Sequence, residues 1–169
     1  MGDETNQVID WQEAMGQCGD DEDFLRELLS DLRGEINAQL VKIEDALQVS
    51  SLLGGREITA LEINEWIAEN NMFSHVSLTS PSLCYNQSVN DQSFLLIMRA
   101  SHVIKGASSN LMCQQLRETA TNLEQGAASA NGIQDSAALE AETAQVREKF
   151  AELKTAVDNY HAFLNQAGI

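Results

Sequence analysis

The sequence is poor in basic residues, and this shortage narrows the classes of partner. It has 10 lysines and arginines against 26 aspartates and glutamates, which gives a formal net charge of −16 at pH 7. Such a surface would repel nucleic-acid phosphates and anionic lipids, so we expect neither nucleic acid nor a membrane as a ligand. The expected partner is a protein whose binding site has a basic rim.

Cysteines and long apolar runs are also scarce. Cys18, Cys84 and Cys113 are odd in number, widely spaced and without a Cys-x-x-Cys pair, which argues against a disulfide framework or a zinc site and indicates a reducing compartment. The first residues are acidic and polar, unlike a secretory signal, and the longest apolar run, residues 94–98, is far shorter than a membrane span. We therefore expect a soluble cytoplasmic protein, with access to the nucleus in a eukaryotic cell.

A single proline and 43% hydrophobic residues are typical of a globular helical chain. Residues 8–17 predict a short helix, and four longer segments carry apolar or small residues at steps of three and four, the spacing of a buried helical stripe. The stripes are Leu25, Leu29, Leu32, Ile36, Leu40, Ile43 and Leu47; Ile97, Ser101, Ile104, Ser108 and Leu111; Leu116, Ala120, Leu123 and Ala127; and Leu139, Thr143, Val146, Phe150, Leu153, Val157, Tyr160 and Leu164.

These stripes predict one all-α domain over residues 1–169, folded as an antiparallel four-helix bundle with a short N-terminal helix. A coiled-coil dimer through the last helix is the structural alternative, but it would leave the other three apolar faces without a partner. Asp20 or Asp21 can cap the first long helix, and Asn131-Gly132 predicts the turn before the last one.

Serines and glycines interrupt the helical pattern after Val49. Residues 50–90 are too long for an ordinary connection within a compact domain, so we interpret them as an insertion, with a short helix over residues 59–69 and extended chain at residues 75–78. Asn90 or Asp91 is the expected N-cap of the next helix.

That next helix has a polar face whose residues could take part in a reaction. Arg99, His102, Lys105, Gly106 and Ser109 lie opposite its buried stripe, which predicts an exposed histidine with a cation one turn later. A neighbouring positive charge disfavours the imidazolium form, and the neutral ring has a lone pair that can attack an electrophile. Ser108 is expected to face inward as a packing or hydrogen-bonding residue.

Gly106 has two interpretations. Glycine inside an exposed helix is about 1 kcal/mol less favourable than alanine, so its presence needs a reason. One is that a bare backbone beside His102 lets another macromolecule approach the ring. The other is that Gly106 ends the helix as a C-cap, with His102 and Lys105 in the last turn, where cations suit the helix dipole.

A known pattern fits this segment. In their spacing, His102, Lys105, Gly106, Ser108, Asn110 and Leu111 resemble the signature of histidine-containing phosphotransfer (HPt) domains, the carriers of multistep His-Asp phosphorelays. Glu124, directly after Leu123, also matches the common pattern of the family. So does the short Trp-bearing N-terminal segment followed by an acidic turn and Phe24. The chain departs from the family at Met112 and Cys113, where Gly and then Ala are usual.

The resemblance implies a function. His102 would accept a phosphoryl group from the receiver-domain aspartate of a hybrid histidine kinase and pass it to that of a response regulator. Lys105 would stabilise the phosphoryl group electrostatically. At an exposed site this attraction contributes a free energy of about 1 kcal/mol or less. Gly106 would leave clearance for the partner.

The resemblance also implies how the chain meets its partners. Met15, Phe24, Leu28 and Ser109 are the expected docking residues, in a transient contact made by a monomer. No cofactor is expected on this chain, because Mg²⁺ and most of the catalysis would come from the receiver domain. No phosphate-cradling glycine loop is present in the sequence, so we do not expect an ATP-dependent enzyme.

Two other histidines lack the Lys-Gly companions of His102. His75 and His161 are therefore interpreted as bystanders. The competing functional hypothesis is a helical adaptor, or a degenerate relative of the family, that binds a partner without carrying phosphate. The complete His102, Lys105 and Gly106 set argues against it, whereas Met112, Cys113 and the insertion favour it.

Overall fold

The computed structural model describes residues 8–53 and 83–169 of the chain. Within these ranges the protein is all-helical and has no strand, which confirms the predicted fold class. There are five helices: α1 (Trp11–Gln17), α2 (Glu22–Leu53), α3 (Leu83–Asn110), α4 (Gln114–Ala130) and α5 (Ser136–Ala167). None of these helices combines the length and the apolar character needed to cross a membrane.

Aspartate side chains start three of the helices. Asp10, Asp21 and Asp135 each accept the backbone N–H of the third residue that follows, at 2.8–3.0 Å, and so satisfy a donor that the helix leaves unpaired. The prediction of a cap at Asp20 or Asp21 is thus confirmed at Asp21. The turn predicted at Asn131-Gly132 is also present, because Gly132 adopts the left-handed conformation with φ 85°.

Two predicted boundaries were wrong. Helix α2 continues to Leu53, past the break expected after Val49, and α3 begins at Leu83, so Asn90 and Asp91 lie inside a helix instead of capping one. Weak helix formers at these points did not stop the helices, because intrinsic propensity is easily overridden by context. Residues 50–53 and 83–90, the two ends of the predicted insertion, therefore belong to α2 and α3. The short helix and extended chain predicted at residues 59–69 and 75–78 lie outside the described residues.

The predicted stripes form the hydrophobic core. All of the predicted positions are buried except Leu40, Leu139 and Thr143, which are half-buried. Each large apolar side chain removed from water contributes about 1.5–3 kcal/mol before the loss of conformational entropy is subtracted. The largest side chains with almost no exposure are Tyr160, Phe94, Leu25, Leu29, Ile36, Ile43, Ile97, Ile104, Leu116, Leu123, Leu153 and Leu164.

Neighbouring long helices are joined by polar contacts as well as by the core. Helix α2 packs against α3, α3 against α4, α4 against α5, and α5 against α2. Arg26 near the start of α2 donates to the Ala167 carbonyl at the end of α5 (2.8 Å), whereas Arg147 of α5 donates to Leu47 O near the other end of α2 (2.9 Å). These two helices are therefore antiparallel.

Candidate functional site

His102 projects from the exposed face of α3, in the C-terminal third of the helix. Its side chain is 67% exposed, while the preceding Ser101 and Ile104, two residues on, are fully buried. The helix therefore fixes the backbone of the histidine from its buried side and leaves the ring accessible. The exposed position agrees with the face predicted by the sequence.

A carboxylate from α4 holds both His102 and its neighbouring cation. Glu124 Oε1 lies 2.9 Å from His102 Nδ1, and Glu124 Oε2 accepts a hydrogen bond of 2.6 Å from Lys105 Nζ. His102 and Lys105 are one turn apart on α3, which brings them to the same side of the helix. A single side chain can therefore bind both of them.

These contacts keep Glu124 ionised. Partial burial alone would raise the pKa of this carboxyl, but the hydrogen bonds from Lys105 and His102 and the positive charges beside it together lower the pKa below its ordinary value. Glu124 is therefore a carboxylate at neutral pH and can only accept hydrogen bonds.

The contact with Glu124 determines which ring nitrogen of His102 is free. Because the carboxylate has no proton to donate, Nδ1 must be the donor in the 2.9 Å contact. In the neutral ring the lone pair is then on Nε2. Nε2 has no hydrogen-bond partner among the described residues, so the outer nitrogen is available to an incoming electrophile.

Lys105 lies one turn after His102, as expected, and its ammonium group contacts Glu124. The sequence predicted a cation acting directly on His102, but the half-buried lysine is ion-paired with Glu124. The Glu124 carboxylate therefore balances most of the positive charge of Lys105. Its backbone carbonyl accepts a 2.7 Å hydrogen bond from the Ser109 hydroxyl. Ser108 is buried and donates to Ile104 O at 2.6 Å, as predicted for an inward-facing residue.

Gly106 lies inside α3, because the helix continues to Asn110. The C-cap interpretation is therefore wrong. A Cβ atom placed on Gly106 would meet nothing within 4 Å. Packing within the described part of the chain does not require glycine here, and any benefit of the missing side chain must concern something outside it.

Three of the four predicted docking residues lie in one groove between α2 and α3. Phe24 is 47% exposed, and it lines the groove together with the half-buried Leu28 and Ser109. Met15 instead packs against the core from α1 and is not part of the lining. Ser109 is seven residues after His102, about 10 Å along the helix axis. The groove therefore lies about two helical turns from the histidine, toward the C-terminal end of α3.

The rim and floor of this groove differ in character. Leu32, Leu111 and Met112 contribute further apolar lining, whereas Asp31 and Glu35 add carboxylates. An apolar centre with a charged rim is the usual composition of a protein-binding surface. The negative rim is suited to a partner with basic residues around its own contact surface.

The two departures from the family pattern form the turn after α3. Met112 has φ 55°, a left-handed conformation that glycine adopts more readily, and its carbonyl accepts a 3.1 Å hydrogen bond from the Asp10 N–H. Cys113 is buried, which raises the pKa of its thiol to about 12. The chain therefore makes the tight turn without glycine, and the turn also holds the start of α1.

The other histidines show no comparable arrangement. His161 is half-buried on α5, and burial, followed by the positive charge of Arg33, lowers its pKa, although Asp158 acts in the opposite direction. It has no Lys-Gly companion, so the bystander interpretation stands. His75 lies outside the described residues.

No protein-family model matches the sequence, and comparisons with curated proteins and with solved structures gave no significant match. The similarity to the HPt signature therefore remains a resemblance of short motifs.

Proposed function

We propose that this chain is a histidine phosphotransfer protein that carries a phosphoryl group on His102 between receiver-domain aspartates. In this proposal the four long helices form a closed antiparallel four-helix bundle, with α1 lying across one end. The cyclic packing of α2, α3, α4 and α5 supports this arrangement, as does the antiparallel pairing of α2 with α5.

The observation that carries the proposal is the exposed ring of His102, held at Nδ1 by Glu124 with Nε2 unpartnered among the described residues. Such a ring has its nucleophilic atom directed away from its anchor. An aspartyl phosphate placed in line with Nε2 could be attacked without prior removal of a proton. The glycine at position 106 leaves room for the protein that delivers this group.

The chain itself would contribute mainly position. The receiver domain would bring Mg²⁺ and the charges that stabilise the transferring group, and therefore most of the catalysis. A carrier of this kind needs neither its own ATP site nor a bound cofactor. Lys105 would support the phosphoryl group from its place beside Glu124, and Gly106 would provide clearance.

The proposed docking surface is the groove lined by Phe24, Leu28 and Ser109. Partners would be the receiver domains of a hybrid histidine kinase and of a response regulator, bound transiently by a cytoplasmic monomer. The net charge of −16 and the acidic rim support a partner with a basic surface over nucleic acid or an anionic membrane.

Phosphoryl transfer from a charged receiver domain tests the proposal. A receiver is loaded with radioactive acetyl phosphate and Mg²⁺ and mixed with the protein, which should acquire label that is labile in acid and stable in alkali. His102→Gln should acquire none while keeping the circular dichroism spectrum of the wild type. His161→Gln, which removes the half-buried histidine on α5, is the matched control and should be labelled normally.

Two results would contradict the proposal. Label that survives in folded His102→Gln would exclude this residue as the acceptor. A wild-type protein that binds receivers but acquires no label from them would favour the alternative, a helical adaptor that does not carry phosphate.

A further inference from the structure

A second cation lies beside His102, and its charge is not balanced by a neighbour. Arg99 is three residues before the histidine on the exposed face of α3, and its guanidinium group forms no hydrogen bond or ion pair with any described residue. Side chains three residues apart on a helix are neighbours, with Cβ atoms about 5–6 Å apart. We propose that Arg99 binds the phosphoryl group at His102, an inference that rests on the proposed carrier function.

The two cations near the ring lie on different sides of it. In a helix of 3.6 residues per turn, Arg99 and Lys105 are about 120° apart around the axis, with His102 midway between them. Lys105 is on the side of α4, where its ammonium group is 2.6 Å from Glu124. Arg99 is on the other side, away from that carboxylate. Its charge is therefore available to an incoming group, whereas that of Lys105 is already paired.

The chemistry of the guanidinium group suits a phosphoryl ligand. It is planar and presents five N–H donors in a fork that matches two phosphoryl oxygens at once, whereas an ammonium group acts as a point charge. Such paired, charge-assisted hydrogen bonds are short and strong. A phosphoryl group on Nε2 would project outward beyond the ring of His102, within the range of a long, extended side chain one turn away.

The distribution of charge also favours an anion at this face. Helix α3 contains two basic residues, Arg99 and Lys105, against one acidic residue, Asp91, whereas each of the other four described helices contains more acidic than basic residues. Asp91 is eight residues before Arg99, about 12 Å along the helix axis. A chain of net charge −16 would otherwise repel a phosphoryl group. Arg99 would offset this repulsion where the group is received.

Apolar side chains on both sides of Arg99 would strengthen the contact. Leu95 and Val103, one turn before it and one turn after it, are 37% and 40% exposed. A partner that covers them would exclude water around the guanidinium group, and attraction between opposite charges increases as the surroundings become less polar. The contact should therefore be strongest in the docked complex, where the phosphoryl group is transferred.

Phosphorylation without a receiver tests the contact directly. Potassium phosphoramidate phosphorylates exposed histidines, and we expect the proton signal of Arg99 Nε–H in the wild type to move downfield when His102 is phosphorylated. The signal is identified by its absence from Arg99→Lys. In the control variant His102→Gln the same treatment should leave it unchanged. Because the shift is measured in the wild type, the result does not depend on whether an Arg99 variant folds.

Transfer from a charged receiver domain tests the consequence. Arg99→Gln should be loaded at least about tenfold more slowly than the wild type, and Arg99→Lys less than about threefold more slowly, because lysine keeps the charge without the fork. Lys154→Gln is the matched control. It removes a cation from an exposed position on α5, where the contact is with Glu44, and changes the net charge by the same amount. It should be loaded at the wild-type rate.

Two results would overturn the inference. One is an Arg99 Nε–H signal that does not respond to phosphorylation of His102. The other, with receivers that label the wild type, is an equal loading rate for Arg99→Gln and Lys154→Gln. Failure of receivers to label the wild type would instead overturn the proposed relay function. The phosphoramidate measurement involves no receiver and would still decide whether Arg99 binds the phosphoryl group.

Discussion

Lys105 and Glu124 form an ion pair of 2.6 Å, with side chains that are 30% and 21% exposed. An arriving phosphoryl group would compete with Glu124 for this ammonium group. In Lys105→Ala the carboxylate keeps its hydrogen bond to His102 but loses its balancing charge, and it would then repel the incoming phosphoryl oxygens. We expect transfer to His102 to slow by about 3–10-fold without being abolished.

Rates of labelling by a charged receiver measure this effect. Lys105→Arg keeps the positive charge and should retain more than half of the wild-type rate. If Lys105→Ala is loaded as fast as the wild type, the lysine has no part in transfer.

Gly106 should affect transfer and stability in opposite directions. Alanine in place of glycine inside an exposed helix stabilises by about 0.5–1 kcal/mol, and no neighbouring atom obstructs a Cβ at this position. Gly106→Gln should therefore unfold at a urea concentration equal to or above that of the wild type, yet lose at least about tenfold in transfer rate, because its side chain occupies the space that the partner needs.

Gly34→Gln is the matched control for this prediction. Gly34 is an exposed glycine inside α2 with no atom within 4 Å of its Cβ position, and it does not line the groove. Gly34→Gln should give a similar gain in stability, and its transfer rate should equal that of the wild type. Normal transfer by Gly106→Gln would remove the clearance role.

Phe24 should be important for partner binding and almost irrelevant to folding. The side chain is 47% exposed at the groove, so its truncation creates little cavity, and exposed aromatic residues often dominate protein interfaces. Phe24→Ala should weaken receiver binding by about fivefold or more, measured by calorimetry, with an unchanged unfolding midpoint.

Val41→Ala is the comparison, because Val41 is 59% exposed on the same helix and does not line the groove. It should bind receivers like the wild type. Equal losses in the two variants would show that the groove is not the docking surface.

The lowered pKa of Glu124 predicts a stability effect that depends on pH. A carboxyl whose folded-state pKa lies below its unfolded value stabilises the fold at pH values above the unfolded value, and this stabilisation is lost as the pH falls through the folded-state pKa. Glu124→Gln should therefore be less stable than the wild type at pH 7, by about 1 kcal/mol. The difference should disappear at about pH 3 or below.

Urea unfolding at both pH values provides the measurement, with Glu118→Gln as the control for the removal of one negative charge from a protein of net charge −16. A difference between wild type and Glu124→Gln that is the same at both pH values would mean that packing, and not ionisation, is responsible.

The core could be predicted from the sequence because helical periodicity is repeated over many turns. All but three of the predicted stripe positions are buried, and the face of α3 that carries His102 was placed correctly. The predicted end of α2 and the predicted start of α3 were wrong for a local reason. Ser, Asn and Asp occur as helix caps, and they also occur inside helices that contacts with the rest of the fold stabilise. A single sequence does not separate the two cases. Asp91, expected as a cap, accepts the Gly132 N–H instead.

The contact between Glu124 and His102 was missed, although a signal for it was present. His102 lies eleven residues before Cys113 and Glu124 eleven residues after it. In two antiparallel helices joined by a short turn, residues equally distant from the turn lie side by side. The glutamate also follows Leu123 at the edge of the buried stripe of α4, where a side chain can reach the neighbouring helix. Met15, another predicted docking residue, packs against the core from α1 and does not line the groove. The order of residues along the chain does not give the orientation of a short helix.

Helix α3 is held by contacts at Asp91, about two turns after its start, and directly after its end. Asp91 accepts a hydrogen bond from the turn between α4 and α5, and the Met112 carbonyl, just after the helix, is bonded to the start of α1. A visiting protein would therefore meet a surface whose backbone is already ordered, and little conformational entropy would be lost on docking. Binding energy would not be spent on ordering this helix, so under the proposed function a small contact area would suffice for recognition and could still dissociate quickly.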